Sequence, residues 1–125
     1  MFRITNDQMI HLTRGDVAVL EVSANKNDSE PYIFKIDDVV RLKVFEKKQC
    51  DNVILEKETV VDEECPTVDI TLLGHDTKFG DIINKPVDYW YEIELNPDTN
   101  PQTIVGYDAD GPKIFRIYPE GDDKE

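Results

Sequence analysis

The sequence predicts an all-β protein, an antiparallel β-sandwich of about seven to eight short strands, immunoglobulin-like or jelly-roll-like, with at most one short helical turn. Three observations carry this. In Val87-Asp88-Tyr89-Trp90-Tyr91-Glu92-Ile93-Glu94-Leu95 the odd positions are apolar and the even ones, Trp90 apart, acidic. A period of two places one set on a buried face and the other outside, whereas a helix would put Tyr89 and Tyr91 on different sides. Further apolar runs recur between clusters of Gly, Pro, Asn and Asp, the spacing of a sandwich or small barrel. No stretch keeps a helical period beyond one turn.

In chain order, Met1–Asp7 reads as a lead-in with Phe2 and Ile4 on one face, and Met9–Leu12 as a brief extended piece. Thr13-Arg14-Gly15-Asp16 is a tight turn in which Gly15 can take a positive φ. Val17–Ser23 follows as a strand. Ala18, Leu20 and Val22 share one face, and Val17 and Val19 make the other apolar as well, which predicts a strand that is central or covered on both sides. Asn25–Pro31 is a polar loop, and Tyr32-Ile33-Phe34 leads into a second turn at Asp37-Asp38. In Val39–Lys47, Val40, Leu42 and Val44 alternate with Arg41, Lys43 and Phe45, predicting one core face and one solvent face. Lys48–Asn52 closes a hairpin onto Val53–Val61, whose charged second half suits a sheet edge. Thr67–Leu73 directs Val68, Ile70 and Leu72 inward. Gly74–Gly80 has room for one helical turn capped by Asp76 or Thr77 and stopped by Gly80. After Val87–Leu95, the polar loop Asn96–Pro101 returns the chain into Gln102–Tyr107 as a hairpin. Asp108–Pro112 is a turn with an Asp-Gly signal, Lys113–Tyr118 is the last strand, and residues 118–125 are a charged tail. The chain has 125 residues, one domain with a single core.

Composition narrows the function classes. The formal charge is −13, from 27 acidic and 14 basic residues, which disfavours a nucleic-acid backbone or an anionic membrane as partner and suits a basic protein partner or plain solubility. No apolar run reaches the ~20 residues of a membrane span, and the first residues lack the apolar core of a signal peptide. A reducing cytoplasm is therefore the expected compartment until assembly or lysis. Cys50 and Cys65 flank the run Val53–Val61, which spans about 30 Å at ~3.3 Å per residue. A disulfide needs Cα atoms within about 7 Å, so two free thiols are expected.

Catalytic signatures are missing. The two histidines and two cysteines show no zinc-ligand spacing, and there is no Gly-x-Ser-x-Gly elbow or phosphate-binding glycine loop. Asp108-Ala109-Asp110-Gly111 starts like a calcium loop but lacks the closing glutamate. The expectation is a non-enzyme with no cofactor and no metal site. The candidate interaction surfaces are the outward face of the central strand, Asp88, Trp90, Glu92 and Glu94, and the edge-strand backbones, whose amides and carbonyls are open to a neighbour. An aromatic among carboxylates suits packing against the other layer or under a loop, a protein interface, where Trp is a frequent anchor, or stacking on a sugar ring. The sugar reading requires Trp90 to lie coplanar with Tyr107 or Tyr118. A third class, an acidic mimic of DNA, would need carboxylates spaced like phosphates along one face, and here they scatter over loops and termini.

Four pieces stand in a particular order: Arg14-Gly15-Asp16 before Val17, Val19 and Glu21; Tyr32-Ile33-Phe34 with Asp37-Asp38-Val39 before Leu42-Lys43-Val44; Asp76-Thr77 after Ile70-Thr71-Leu72; and Val87–Leu95 followed by Gln102-Thr103-Ile104. From about Ile10 to Ile117 this order resembles the N-terminal β-sandwich domain of the phage baseplate upper proteins of tailed phages and prophages of Gram-positive bacteria. The resemblance implies a virion structural protein, made in the bacterial host cytoplasm. Its partners would be other virion structural proteins or further copies of itself. It brings no catalytic residues. The runner-up is a carbohydrate-binding module for a cell-surface glycan.

Overall fold

A computed structural model describes residues 2–4, 8–25, 30–48, 52–78, 83–99, 101–105 and 111–119. They form eleven strands and no helix: β1 (Phe2–Ile4), β2 (Ile10–Thr13), β3 (Ala18–Val22), β4 (Ala24–Asn25), β5 (Pro31–Tyr32), β6 (Val39–Phe45), β7 (Val53–Val60), β8 (Val68–Leu72), β9 (Val87–Leu95), β10 (Gln102–Val105) and β11 (Lys113–Tyr118). The all-β sandwich-like architecture is as the sequence predicts. The strand count exceeds the expectation because β1, β4 and β5 are two- or three-residue pieces.

One sheet runs β1-β2-β11-β9-β6-β7, with β10 also on β9; β3 pairs with β8, and β4 with β5. The pair β2–β11 is parallel, so the large sheet is mixed rather than purely antiparallel. No hairpin joins these two strands. They meet only because the intervening chain has built the rest of the sandwich, and alternation alone carries no information on strand direction. In chain order β3, β6, β7, β8, β9 and β11 occupy the places of strands B, C, C′, E, F and G of an immunoglobulin-type sandwich.

β9 is central, flanked by β6 on one side and by β10 and β11 on the other. The return strand is broken. β10 covers Leu95, Glu94 and Ile93, and β11 takes over at Tyr91. Gln102 and Thr103 therefore lie beside Leu95 and Glu94. The core lies between the sheets: Ile10, Leu12, Leu20, Phe34, Leu42, Ile70, Leu72, Phe115 and Ile117 are all buried, each side chain contributing roughly 1.5–3 kcal/mol of transfer free energy. Tyr91 packs edge-on against Phe115 at 6.1 Å between ring centroids and donates its hydroxyl to the Gln8 carbonyl.

Two turn clamps fix the ends of the sandwich. Thr77 is fully buried; its Oγ1 accepts the Gly15 N–H (3.0 Å) and donates to the Asp16 carbonyl (2.9 Å). Gly15 has φ 88°, and a Cβ on Gly74 would sit 2.9 Å from the Gly15 carbonyl oxygen, so the two turns meet backbone to backbone. Residues Gly74–Thr77 form a turn rather than a helix. Asp76 closes it by accepting the Leu73 N–H (2.9 Å) and pairs with Lys57 at 3.0 Å. Burial pushes the Asp76 carboxyl up, but this amide and the ammonium outweigh it and hold the group below the usual range. The expected stop at Gly80 lies outside the described residues.

The second clamp is Asp38. It accepts the Tyr32 hydroxyl (2.7 Å), the Lys35 N–H (2.9 Å) and the Asn96 amide (3.1 Å), and Asn96 accepts the Val39 N–H (2.8 Å). Burial opposes the Asp38 charge, and these donors overcome it. Burial and the neighbouring Asp38 push the Tyr32 phenol up to about 12. Asp37 and Asn96 take positive φ, 74° and 49°, a conformation that Asp and Asn tolerate better than most residues.

The expectation that β3 is central or covered on both faces fails among the described strands. β3 lies in a two-stranded sheet with a single layer beneath it, and Val17 and Val19 are 61% and 47% exposed. Cys65 is a free thiol whose backbone bridges Phe34; Cys50 lies outside the described residues, as do most of the Asp108–Pro112 turn, Tyr107 and residues 120–125.

Candidate interaction surface

The outer face of the large sheet is built in cross-strand rows set by the registers of β11, β9, β6 and β7. In the first row Arg116 on β11 faces Asp88 on β9 with a two-pronged ion pair, 2.6 and 3.1 Å. This pairing raises the Arg116 pKa above its ordinary value. Next along, Ile114, Trp90, Phe45 and Val53 lie abreast. Lys43 follows, between Glu92 and Glu56, and then Arg41, between Glu94 and Glu58. Arg41 binds Glu58 (2.7 Å), Asp98 (2.8 Å) and Glu56 (3.2 Å). Its bonds to Asp98 and Glu58 push the guanidinium pKa up and hold the exposed Asp98 carboxyl below the usual range.

All four residues singled out in the sequence, Asp88, Trp90, Glu92 and Glu94, share this face and are half-buried. Their carboxylates are not equivalent. Asp88 is neutralised by Arg116. Glu94 lies 3.4 Å from the Lys43 ammonium. Burial, with Glu94 close by, raises the Glu92 pKa, which Lys43 opposes only in part. Asp88, Glu92, Glu94, Glu56, Glu58 and Asp98 together outnumber Arg41, Lys43 and Arg116, so the face carries net negative charge.

Phe45 is the residue that sequence reasoning misplaced. It occupies the expected solvent face, yet it is 3% exposed and belongs to no part of the main core cluster. The row through Trp90 is a second apolar nucleus, outside the sandwich. The signal was present: after Arg41 and Lys43, an aromatic takes the next outward position of the same strand. Tyr118 does not join this row. Its hydroxyl lies 2.8 Å from His11 Nδ1 and its ring 5.9 Å from the imidazole, four residues along β11 from the Ile114 that neighbours Trp90. Tyr118 thus stands apart from the Trp90 row, farther along the same strand as Ile114, and Tyr107 lies outside the described residues.

Comparison with protein-family models, with curated proteins and with solved structures finds no match to this chain. Among the described residues, no three His, Cys, Asp or Glu side chains converge as metal ligands would, and no helix is long and apolar enough to cross a membrane.

The Glu92 environment gives a signed prediction. Its folded-state pKa lies above the unfolded value, so the folded protein pays for the charge at pH 7, and this cost fades as pH falls through the folded pKa. Glu92→Gln is expected to raise the melting temperature at pH 7 and to have no such effect near pH 3. Equal shifts at both pH values would refute it.

Proposed function

We propose that this protein is a non-enzymatic structural or assembly component of a tailed phage or prophage particle, baseplate- or tail-associated, that acts by packing the outer face of its large sheet against another virion protein. The observation that carries the docking half of this reading is the row Ile114–Trp90–Phe45–Val53 flanked by ion pairs. An aromatic anchor in a partly desolvated apolar strip, rimmed by charge, is the anatomy of an interface centre. The excess of carboxylates favours a partner patch rich in Lys and Arg. The particle half rests on the resemblance in motif order. The motifs concerned are also the clamps of the fold: Arg14-Gly15-Asp16 docks on Thr77, and Asp37-Asp38 lies beside Asn96, which ends the aromatic-acidic strand.

The test is particle association. Prophage is induced in the source strain, particles are banded on a density gradient, and this chain is quantified by mass spectrometry against the capsid protein. A fixed stoichiometry in the particle band is expected. Trp90→Ala, at the anchor, is expected to weaken incorporation by about 2 kcal/mol or more, ~30-fold in affinity, with the fold intact. Abundance in the lysate with absence from intact particles would overturn the reading, as would glycan-array binding that depends on Trp90.

A further inference from the structure

β3 offers a second site on the opposite layer, away from the Trp90 face. Among the described strands it pairs with β8 alone, so no described strand takes up the backbone groups of its other edge. In a sandwich of this connectivity a further strand, A, ordinarily lies beside B. Here β1 is instead the outermost strand of the large sheet, beyond β2. Among the described residues the large sheet holds seven strands, six of them side by side, while β3 and β8 form a sheet of two.

A cleft opens beside β3. Its volume is about 140 Å³, and it is lined by Leu20, Val22, Ile10, Tyr91, Ile93 and Val105 on its apolar walls, with Glu21, Ser23 and Gln8 at its mouth. At about 30 Å³ per water-sized group, it takes one aliphatic side chain of four or so heavy atoms. The outer side of the same edge presents the exposed Val17 and Val19 and then Glu21. Leu73 and Asp69 continue this pattern on β8.

We propose that β3 accepts an extended segment of another protein as an added strand. That segment places a Val, Leu or Ile in the cleft, lays apolar residues against Val17 and Val19, and sets a Lys or Arg beside Glu21. Main-chain hydrogen bonds to β3 supply affinity, and alternate side chains supply specificity. The occupant is basic because this chain carries a net charge of −13 and the cleft mouth and outer face carry Glu21 and Asp69. The same charge disfavours a second copy, since two such chains repel.

The probe is a short acetylated peptide alternating lysine with valine or isoleucine, titrated into the full-length, isotope-labelled protein by NMR. Shift changes centred on Leu20–Ser23, Ile10 and Val105, with slowed hydrogen exchange on β3, are expected. A peptide with proline at alternate positions, which cannot donate to the ladder, should not bind, and neither should the version with glutamate for lysine. Glu21→Lys, at an exposed position, should weaken the basic peptide about two- to fivefold and leave the melting temperature unchanged. Three results would each overturn the proposal: no binding at millimolar peptide, shifts confined to the Trp90 and Glu92 face, or concentration-dependent self-pairing through β3 without peptide. The Trp90 face is not involved, so this experiment can fail while particle association holds, and the reverse.

Discussion

Phe115→Ala is expected to lower the free energy of unfolding by about 3–5 kcal/mol, the range for deleting a buried aromatic. Phe115 is fully buried on β11, packs edge-on against Tyr91, and lies between β9 and β2 in the large sheet. Truncation leaves a cavity where both layers meet, and a close-packed interior relaxes only partly into it. The drop in melting temperature should be on the order of 10–20 °C for a chain of this size. Denaturant melts of the two proteins check this. A loss below about 1 kcal/mol would mean that the centre of the core lies elsewhere. Phe115→Leu fills most of the volume and should recover more than half of the loss.

The second large effect is expected at Thr77. Thr77→Val keeps the shape of the side chain and removes its hydroxyl, so the Gly15 amide and the Asp16 carbonyl lose their partner. A buried polar group left unsatisfied costs about 1–3 kcal/mol; with two of them the expected loss is roughly 2–4 kcal/mol. Thr77→Ser retains the hydroxyl and should lose less than half as much. Because the clamp ties the β2–β3 turn to the turn after β8, hydrogen exchange in Thr77→Val should accelerate first at Gly15 and Asp16. Uniform acceleration across both sheets would assign the effect to the whole fold instead of the clamp.

Individual strands were legible because a period of two marks them directly. Val87–Leu95 and Lys113–Tyr118 are bounded in the structure as the alternation bounds them. Their neighbours were not legible. Alternation says which side chains share a face, not which strands lie side by side or in which direction, so the parallel β2–β11 pair and the break between β10 and β11 stayed hidden. Val17 and Val19 misled for the same reason: two apolar faces signal cover on both sides, and here one face is open. At the candidate surface, Asp88, Trp90, Glu92 and Glu94 could be placed on one face from spacing alone. Their electrostatic partners could not, because Arg116, Lys43 and Arg41 come from strands distant in sequence. Phe45 escaped because a single aromatic at an outward position reads as an isolated exposure until Trp90 and Ile114 are seen beside it.

The parallel contact between β2 and β11 also sets a timetable for the newborn chain. Ile10–Thr13 emerges from the ribosome early, but the strand it must lie against is Lys113–Tyr118. Until that strand has been synthesised, β2 has no partner toward the sheet centre and β9 shows a bare edge. The large sheet therefore closes only after nearly the whole of this sequence has been translated. Pairings this remote in sequence assemble slowly, and the wait leaves strand edges without their final partners. In that interval the dense negative charge keeps nascent copies apart.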